Sequence, residues 1–231
     1  MQYWTASGSH GDADPAPYFF LSYAHVHPNA YTNDDLDRDA LRLYRDVCSH
    51  IMQMTDFPHA KRPGFMDRKI DGGTRWDDDI KWGLASSRVF VALCGPRYFS
   101  SDYCGKEWDA FSRREALHLE NSERRSARRA IIPIRWTPFE METAPRVIQE
   151  HQHFRFDHDS GYLELGLYGL LKSKHEREYV DATLQITRAI LRTARETAIA
   201  PCDPKIFVNL RNVFKDDPEA SRDHPDTGDG E

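Results

Sequence analysis

Short uninterrupted apolar runs alternate along this chain with segments whose apolar residues recur every three or four positions. Tyr18 to Tyr23 (YFFLSY) is aromatic and aliphatic and ends in polar residues, as a buried strand does. From Asp34 onward Leu36, Ala40, Leu43, Tyr44, Val47 and Ile51 share one helical face, with Asn33 as a candidate N-cap and acids in the first turn. Phe65-Met66, after Pro63-Gly64, reads as a very short second strand, and Asp67 to Arg75 (DRKIDGGTR) as an exposed, glycine-containing loop. Thr74 and Asp77 suggest a capped helix start whose inward face carries Trp76, Ile80, Gly83 and Leu84. Val89 to Leu93 (VFVAL) has no polar interruption, which predicts a strand covered on both faces, and the helix after it turns Trp108 and Phe111 inward. Ala130 to Ile134 (AIIPI) reads as a further strand with Pro133 at an edge or an end. Phe154 to Phe156 reads as a fifth strand, and Glu176 to Thr197 as a long helix.

This alternation predicts an α/β domain with a mostly parallel five-stranded sheet and helices on both faces. Ligands of such sheets bind outside the carboxyl ends of the strands. Those ends hold Ser22 to His25, Asp67 to Trp76, Gly95 to Glu107 and Arg135 to Phe139.

Composition sets the boundaries. Residues 1–16 are rich in Gly, Ala, Asp and Ser and read as a flexible N-terminal tail, 17–200 as the folded domain, and 201–231 as an acidic, disordered C-terminal tail. From Lys215 to Glu231 seven acids stand against Lys215 and Arg222, so most of the formal charge of −6 sits in that tail. The nearly neutral remainder offers no general attraction for nucleic acid or an anionic membrane. Mean hydropathy is −0.71, and no apolar stretch approaches the roughly 18 residues of a spanning helix. Met1 to Pro17 lacks the pattern of a secretory signal, and the cytoplasm is the expected compartment. Cys48, Cys94, Cys104 and Cys202 are widely spaced and read as reduced thiols.

Several chemistries are excluded by their missing motifs. The chain has neither G-x-G-x-x-G nor G-x-x-x-x-G-K-[ST], which argues against a Rossmann dehydrogenase or a P-loop NTPase, and it lacks the G-x-S-x-G of serine hydrolases. His25 and His27, and His151 and His153, have no carboxylate or cysteine spacing that makes a metal site, so they read as loop or surface residues and no metal is expected. Asp77, Asp78 and Asp79 suit the positive end of a helix. Arg113, Arg114, Arg124, Arg125, Arg128 and Arg129 alternate with Glu115, Glu120 and Glu123, as on a solvated, salt-bridged surface.

The segment Ser100 to Trp108 (SSDYCGKEW) follows the buried strand and the Gly95-Pro96 turn. Together with FFLSYAH at 19–25, GFMDRKIDGGTRW at 64–76 and RVFVALCGPRYFSSDYCGKEW at 88–108, it resembles a TIR (Toll/interleukin-1 receptor homology) domain over roughly residues 17–198. The resemblance implies a flavodoxin-like fold with a BB loop at about Asp67 to Arg75, in which Asp67, Arg68, Gly72, Gly73 and Arg75 mediate association. Many bacterial and plant TIR domains cleave the nicotinamide–ribose bond of NAD+ with the glutamate of an S-x-x-x-C-x-x-E motif. Here that residue is Glu107, preceded by Cys104 and by Ser100 or Ser101. NAD+ is then the substrate and no cofactor is expected.

A single carboxylate suits this reaction because nicotinamide departs as a neutral base and needs no general acid. Glu107 would stabilise the developing oxocarbenium charge or form a transient covalent adduct. Ser22, Tyr23, Arg68, Trp76, Ser101 and Tyr103 are the candidate substrate contacts, although Tyr103 and Trp76 also suit core positions. The expected setting is antiphage defence or signalling, triggered by TIR–TIR self-association or by a separate sensor or TIR partner. The competing reading is a non-catalytic TIR interaction module, since YFFLSYAH, FMDR and CGKEW also resemble TIR-like accessory proteins of radical-SAM peptide-maturation loci. A nucleoside-processing transferase is a third.

Overall fold

The computed structural model describes residues 15–25, 37–67, 78–121, 129–151, 154, 156 and 161–215. Four parallel strands form one sheet in the order β2-β1-β3-β4: β1 (Phe19–Ser22), β2 (Gly64–Met66), β3 (Val89–Cys94) and β4 (Ile131–Arg135). In register, Phe20 pairs with Phe65 on one side and Phe90 on the other, and Val91 pairs with Ile132.

Both faces of the sheet are covered, which is why its strands read as unbroken apolar runs. Phe19, Leu21, Val89, Val91, Leu93, Ile132 and Ile134 face a core shared with α1 (Arg38–Met54), α6 (Tyr162–Lys172) and α7 (Glu176–Thr197). Phe20, Phe90, Ala92, Cys94 and Ile131 face the opposite core, shared with α2 (Asp78–Ser86) and α4 (Asp102–Asn121). Between β3 and α4 lies the single turn α3 (Pro96–Ser100), and α5 (Arg146–Gln149) follows β4. The long helix expected at Glu176–Thr197 is found with those bounds, and Trp108 and Phe111 are fully buried.

The sheet departs from the expected five strands. Among the described residues Phe154 and Phe156 form no strand, although the Phe154 N–H donates to the Pro133 carbonyl at 3.1 Å. Pro133 can accept there but has no N–H to return, so the outer edge of β4 supports only half of the usual ladder exchange. Phe154 and Phe156 instead pack edge to face, and Phe156 packs on Tyr162.

Two composition-based expectations are also corrected. Residues 201–215, assigned above to a disordered tail, lie on α2 and α4, with Phe207 and Phe214 buried; 216–231 fall outside the described residues. Arg114, assigned to a solvated surface, is 1% exposed. It donates to Leu84 O, Ser87 O and Ala200 O and so satisfies carbonyls at the end of α2, where the helix dipole favours a cation. Arg113 and Arg129 do pair with acids, Asp109 and Glu115. Arg124, Arg125 and Arg128, like Asn33 and Thr74, fall outside the described residues.

Candidate functional site

The alternation of β1 sorts its last residues onto different sides. Ser22 continues the Phe20 face and meets α4, whereas Tyr23 continues the Phe19–Leu21 face and meets the start of α1.

On the first side Glu107 projects from the second turn of α4 and is 7% exposed. Ser22 Oγ donates to Glu107 Oε2 at 2.5 Å, and Ser22 Oγ also lies 2.9 Å from the hydroxyl of Tyr98, on α3. With Glu107 ionised, the single Ser22 proton goes to the carboxylate and Tyr98 donates to Ser22. Burial pushes the Glu107 carboxyl up to about 8; the Ser22 hydrogen bond and the charge of His25 oppose the shift, and the charge of Asp67 adds to it. Cys104, one turn earlier, is buried, and burial together with Glu107 holds its thiol well above the ordinary range, so it is no nucleophile at neutral pH.

On the second side Tyr23 Oη donates to Asp67 O at 2.9 Å and toward Asp37 Oδ2 at 3.3 Å. His25 Nδ1 lies 2.7 Å from Asp37 Oδ2, and Nε2 lies 3.7 Å from Asp67 Oδ2. Burial opposes protonation of His25, but the hydrogen bonds and charges of Asp37 and Asp67 outweigh it and carry the ring up to about 9. Asp37 occupies the N-cap position of α1 yet makes no cap hydrogen bond with its side chain, which faces His25 and Tyr23 instead. The ends of β1 and β2 and the start of α1 are thus tied at one point.

Ser22, Tyr23, Asp67 and Glu107 therefore meet at the carboxyl end of the sheet. Ser101 does something different: its Oγ accepts the Cys104 N–H at 3.3 Å, capping α4. Tyr103, in the first turn of α4, is 52% exposed. Arg68, Gly72, Gly73, Arg75 and Trp76 lie outside the described residues. His25 and Tyr98 lie within the strand-end ranges expected to bind ligand but are not among the candidate contacts, and Asp37 lies outside those ranges. The available signal for His25 was its position just past a strand end, the usual address of functional side chains in this kind of sheet.

The family model for the TIR domain matches residues 58–165, from the approach to β2 into α6. Over those residues the chain is similar to TIR domains. The matched stretch includes Glu107 and Asp67, while β1 with Ser22, the following His25, and α7 lie outside it. No curated protein and no solved structure matches the chain. TIR domains act in signalling or in NAD+ cleavage and commonly self-associate. No described helix is long and apolar enough to cross a membrane.

Proposed function

We propose that this TIR domain is an NAD+ glycohydrolase that releases nicotinamide and leaves ADP-ribose or a cyclic form of it. The observation that carries the reading is Glu107, a buried carboxyl oriented by Ser22 at the carboxyl end of a parallel sheet, in the position of the S-x-x-x-C-x-x-E glutamate.

The reacting bond joins a cationic pyridinium to ribose. As it lengthens, positive charge moves from the ring to the sugar, and nicotinamide leaves as a neutral base. An ionised Glu107 beside the sugar stabilises that charge in a site where few waters compete. A carboxyl raised to about 8 by burial is mostly protonated at neutral pH, and the positive charge of the bound pyridinium favours its ionised form. Ser22 holds the anion in place, and the acidic surroundings of Asp37 and Asp67 suit a cationic ring. Tyr103 supplies an exposed aromatic face one turn from Glu107. Self-association brings the BB loop of a second copy, residues 67–75, to complete the cleft, and the setting is defence or signalling through NAD+ depletion.

The second reading, a non-catalytic interaction module, is favoured by the same low exposure: a carboxyl 7% exposed and neutral at pH 7 is also what a purely structural acid looks like. Incubation of concentrated protein with NAD+, with and without a crowding agent, separates the two. Nicotinamide release that disappears in Glu107→Ala supports the glycohydrolase; absence of release under every assembly condition supports the module, in which changes to the BB loop, such as Arg68→Ala, abolish association while Glu107→Ala does not.

A further inference from the structure

Residues 202–215 follow α7 and lie outside the family match, yet they hold the helix that carries Glu107 on both sides of that residue. Before it, Asn212 Nδ2 and Lys215 Nζ bind Asp102 Oδ1 at 2.6 and 2.8 Å. After it, the Arg211 N–H donates to Asp109 Oδ2 at 2.9 Å, and Arg113 donates to Val208 O and Asn209 O at 2.9 and 3.0 Å. Gly105 marks the closest approach: a Cβ there would collide with the Asn212 side chain and press on its Cα at 3.2 Å.

These ties place one ring. Phe214, whose N–H donates to Asn212 Oδ1 at 3.1 Å, packs on Tyr98 at 5.4 Å and on Trp108, the neighbour of Glu107, at 6.0 Å between centroids. Tyr98 in turn contacts Ser22, and Ser22 contacts Glu107. Phe214 thus packs against Tyr98, the far member of the hydrogen-bonded chain that ends on the carboxyl.

We propose that the 202–215 strap is a positioning element for Glu107, in which Phe214 keeps Tyr98 and Ser22 aligned on the carboxyl and keeps water from entering past Tyr98 and Trp108. Phe214 is a positioning residue, since it acts through Tyr98 and Trp108. The structural claim is independent of the reaction; its kinetic consequence rests on Glu107 being the reacting carboxylate.

The test uses the full chain with 13C-labelled glutamate, following the Glu107 carboxyl resonance against pH in wild type, Phe214→Ala, Phe214→Leu and Phe57→Ala. Phe57 packs on Tyr18 at the opposite end of β1 and controls for general loss of stability. The wild-type midpoint is expected near 8. In Phe214→Ala it falls by about one pH unit or more as water enters; Phe214→Leu restores most of it, and Phe57→Ala leaves it in place. Where nicotinamide is released, Phe214→Ala lowers kcat by about tenfold at unchanged KM. An unchanged midpoint in folded Phe214→Ala, an equal change in Phe57→Ala, or a wild-type midpoint in the ordinary carboxyl range overturns the proposal. Should Phe214→Ala fail to fold, Asn212→Ala, which removes the acceptor of the Phe214 N–H and one of the two strap partners of Asp102, decides by the same criterion. A wild type that cleaves no NAD+ sinks the glycohydrolase reading alone, because the titration still decides the role of the strap.

Discussion

Ser22 closes β1 with its hydroxyl on the Glu107 carboxyl, joining residues 85 positions apart. The contact follows from parity: Ser22 takes the sheet face of Phe20, which is the face α4 covers. Two influences on Glu107 oppose each other there, burial favouring its neutral form and the Ser22 hydrogen bond favouring its charge.

Ser22→Ala removes the influence that favours charge. The Glu107 titration moves above its wild-type midpoint of about 8, and any Glu107-dependent nicotinamide release shifts its pH profile in the same direction. Tyr98 also loses its hydroxyl partner inside the core, at a cost of about 1–3 kcal/mol. Urea denaturation beside the pH–rate profile measures both effects; a profile that moves to lower pH contradicts the assignment.

Tyr103 is half exposed on the first turn of α4 and tests whether the cleft extends onto that helix. Tyr103→Ala is expected to change stability by no more than about 0.5 kcal/mol. If the ring stacks on NAD+, KM rises several-fold with kcat little changed. Steady-state kinetics across NAD+ concentration decides, and an unchanged KM removes Tyr103 from the site.

What the sequence revealed and what it hid have physical reasons. The strands and α7 were legible because burial on two faces leaves an unbroken apolar run, as in Val89–Leu93, and burial on one leaves a periodic imprint, as in Glu176–Thr197. Glu107 was legible through motif resemblance. His25 was passed over because its partners, Asp37 and Asp67, come from other elements, and nothing local in YAHVH marks a paired imidazole. Arg114 misled because intervening glutamates look like a solvated face, whereas its actual partners are backbone carbonyls, which carry no sequence signal. Residues 201–215 misled because two aromatic anchors, the Lys215–Asp102 ion pair and a few hydrogen bonds to α4 hold a segment whose composition is that of a tail.

His25→Gln tests the tie between β1, α1 and β2. The folded-state value near 9 exceeds the ordinary 6.5, so the tie's contribution is full below about pH 6.5 and is lost as pH rises through about 9. Its size is at most about 3 kcal/mol, and less for a side chain that keeps 22% of its surface exposed. Denaturation at pH 6 and pH 9.5 is expected to show a large difference between wild type and variant at the lower pH and a small one at the higher. A difference independent of pH would mean that the ring acts by packing alone.

Arg114→Met removes a buried cation from three carbonyls. Leaving Leu84 O and Ser87 O without it costs about 3 kcal/mol or more, which greatly exceeds the cost of changing the exposed side of a helix. Arg114→Lys does not rescue, since one compact ammonium cannot reproduce the planar fork that reaches α2 and Ala200 together. The urea midpoint reads the loss, and a variant as stable as wild type would return Arg114 to the surface.

Glu107→Gln separates the charge of the carboxyl from its shape. The folded-state value of about 8 lies above the ordinary 4.5, so between those pH values the folded protein holds a proton that the unfolded chain has released. Stability from this group is therefore full below about pH 4.5 and declines as pH rises to about 8, where burying an anion becomes the cost of remaining folded. The decline is several kcal/mol in scale, roughly 1.4 kcal/mol per pH unit across the window. Glutamine keeps an acceptor for Ser22 and carries no charge, so the variant is expected to match wild type near pH 5, to be more stable near pH 8, and to release no nicotinamide at either. Urea denaturation across pH 5 to 8.5 checks the first two points. If wild type and Glu107→Gln lose stability in parallel as pH rises, the carboxyl is not held neutral by its surroundings, and the account of its raised titration fails even if the residue proves essential for NAD+ cleavage.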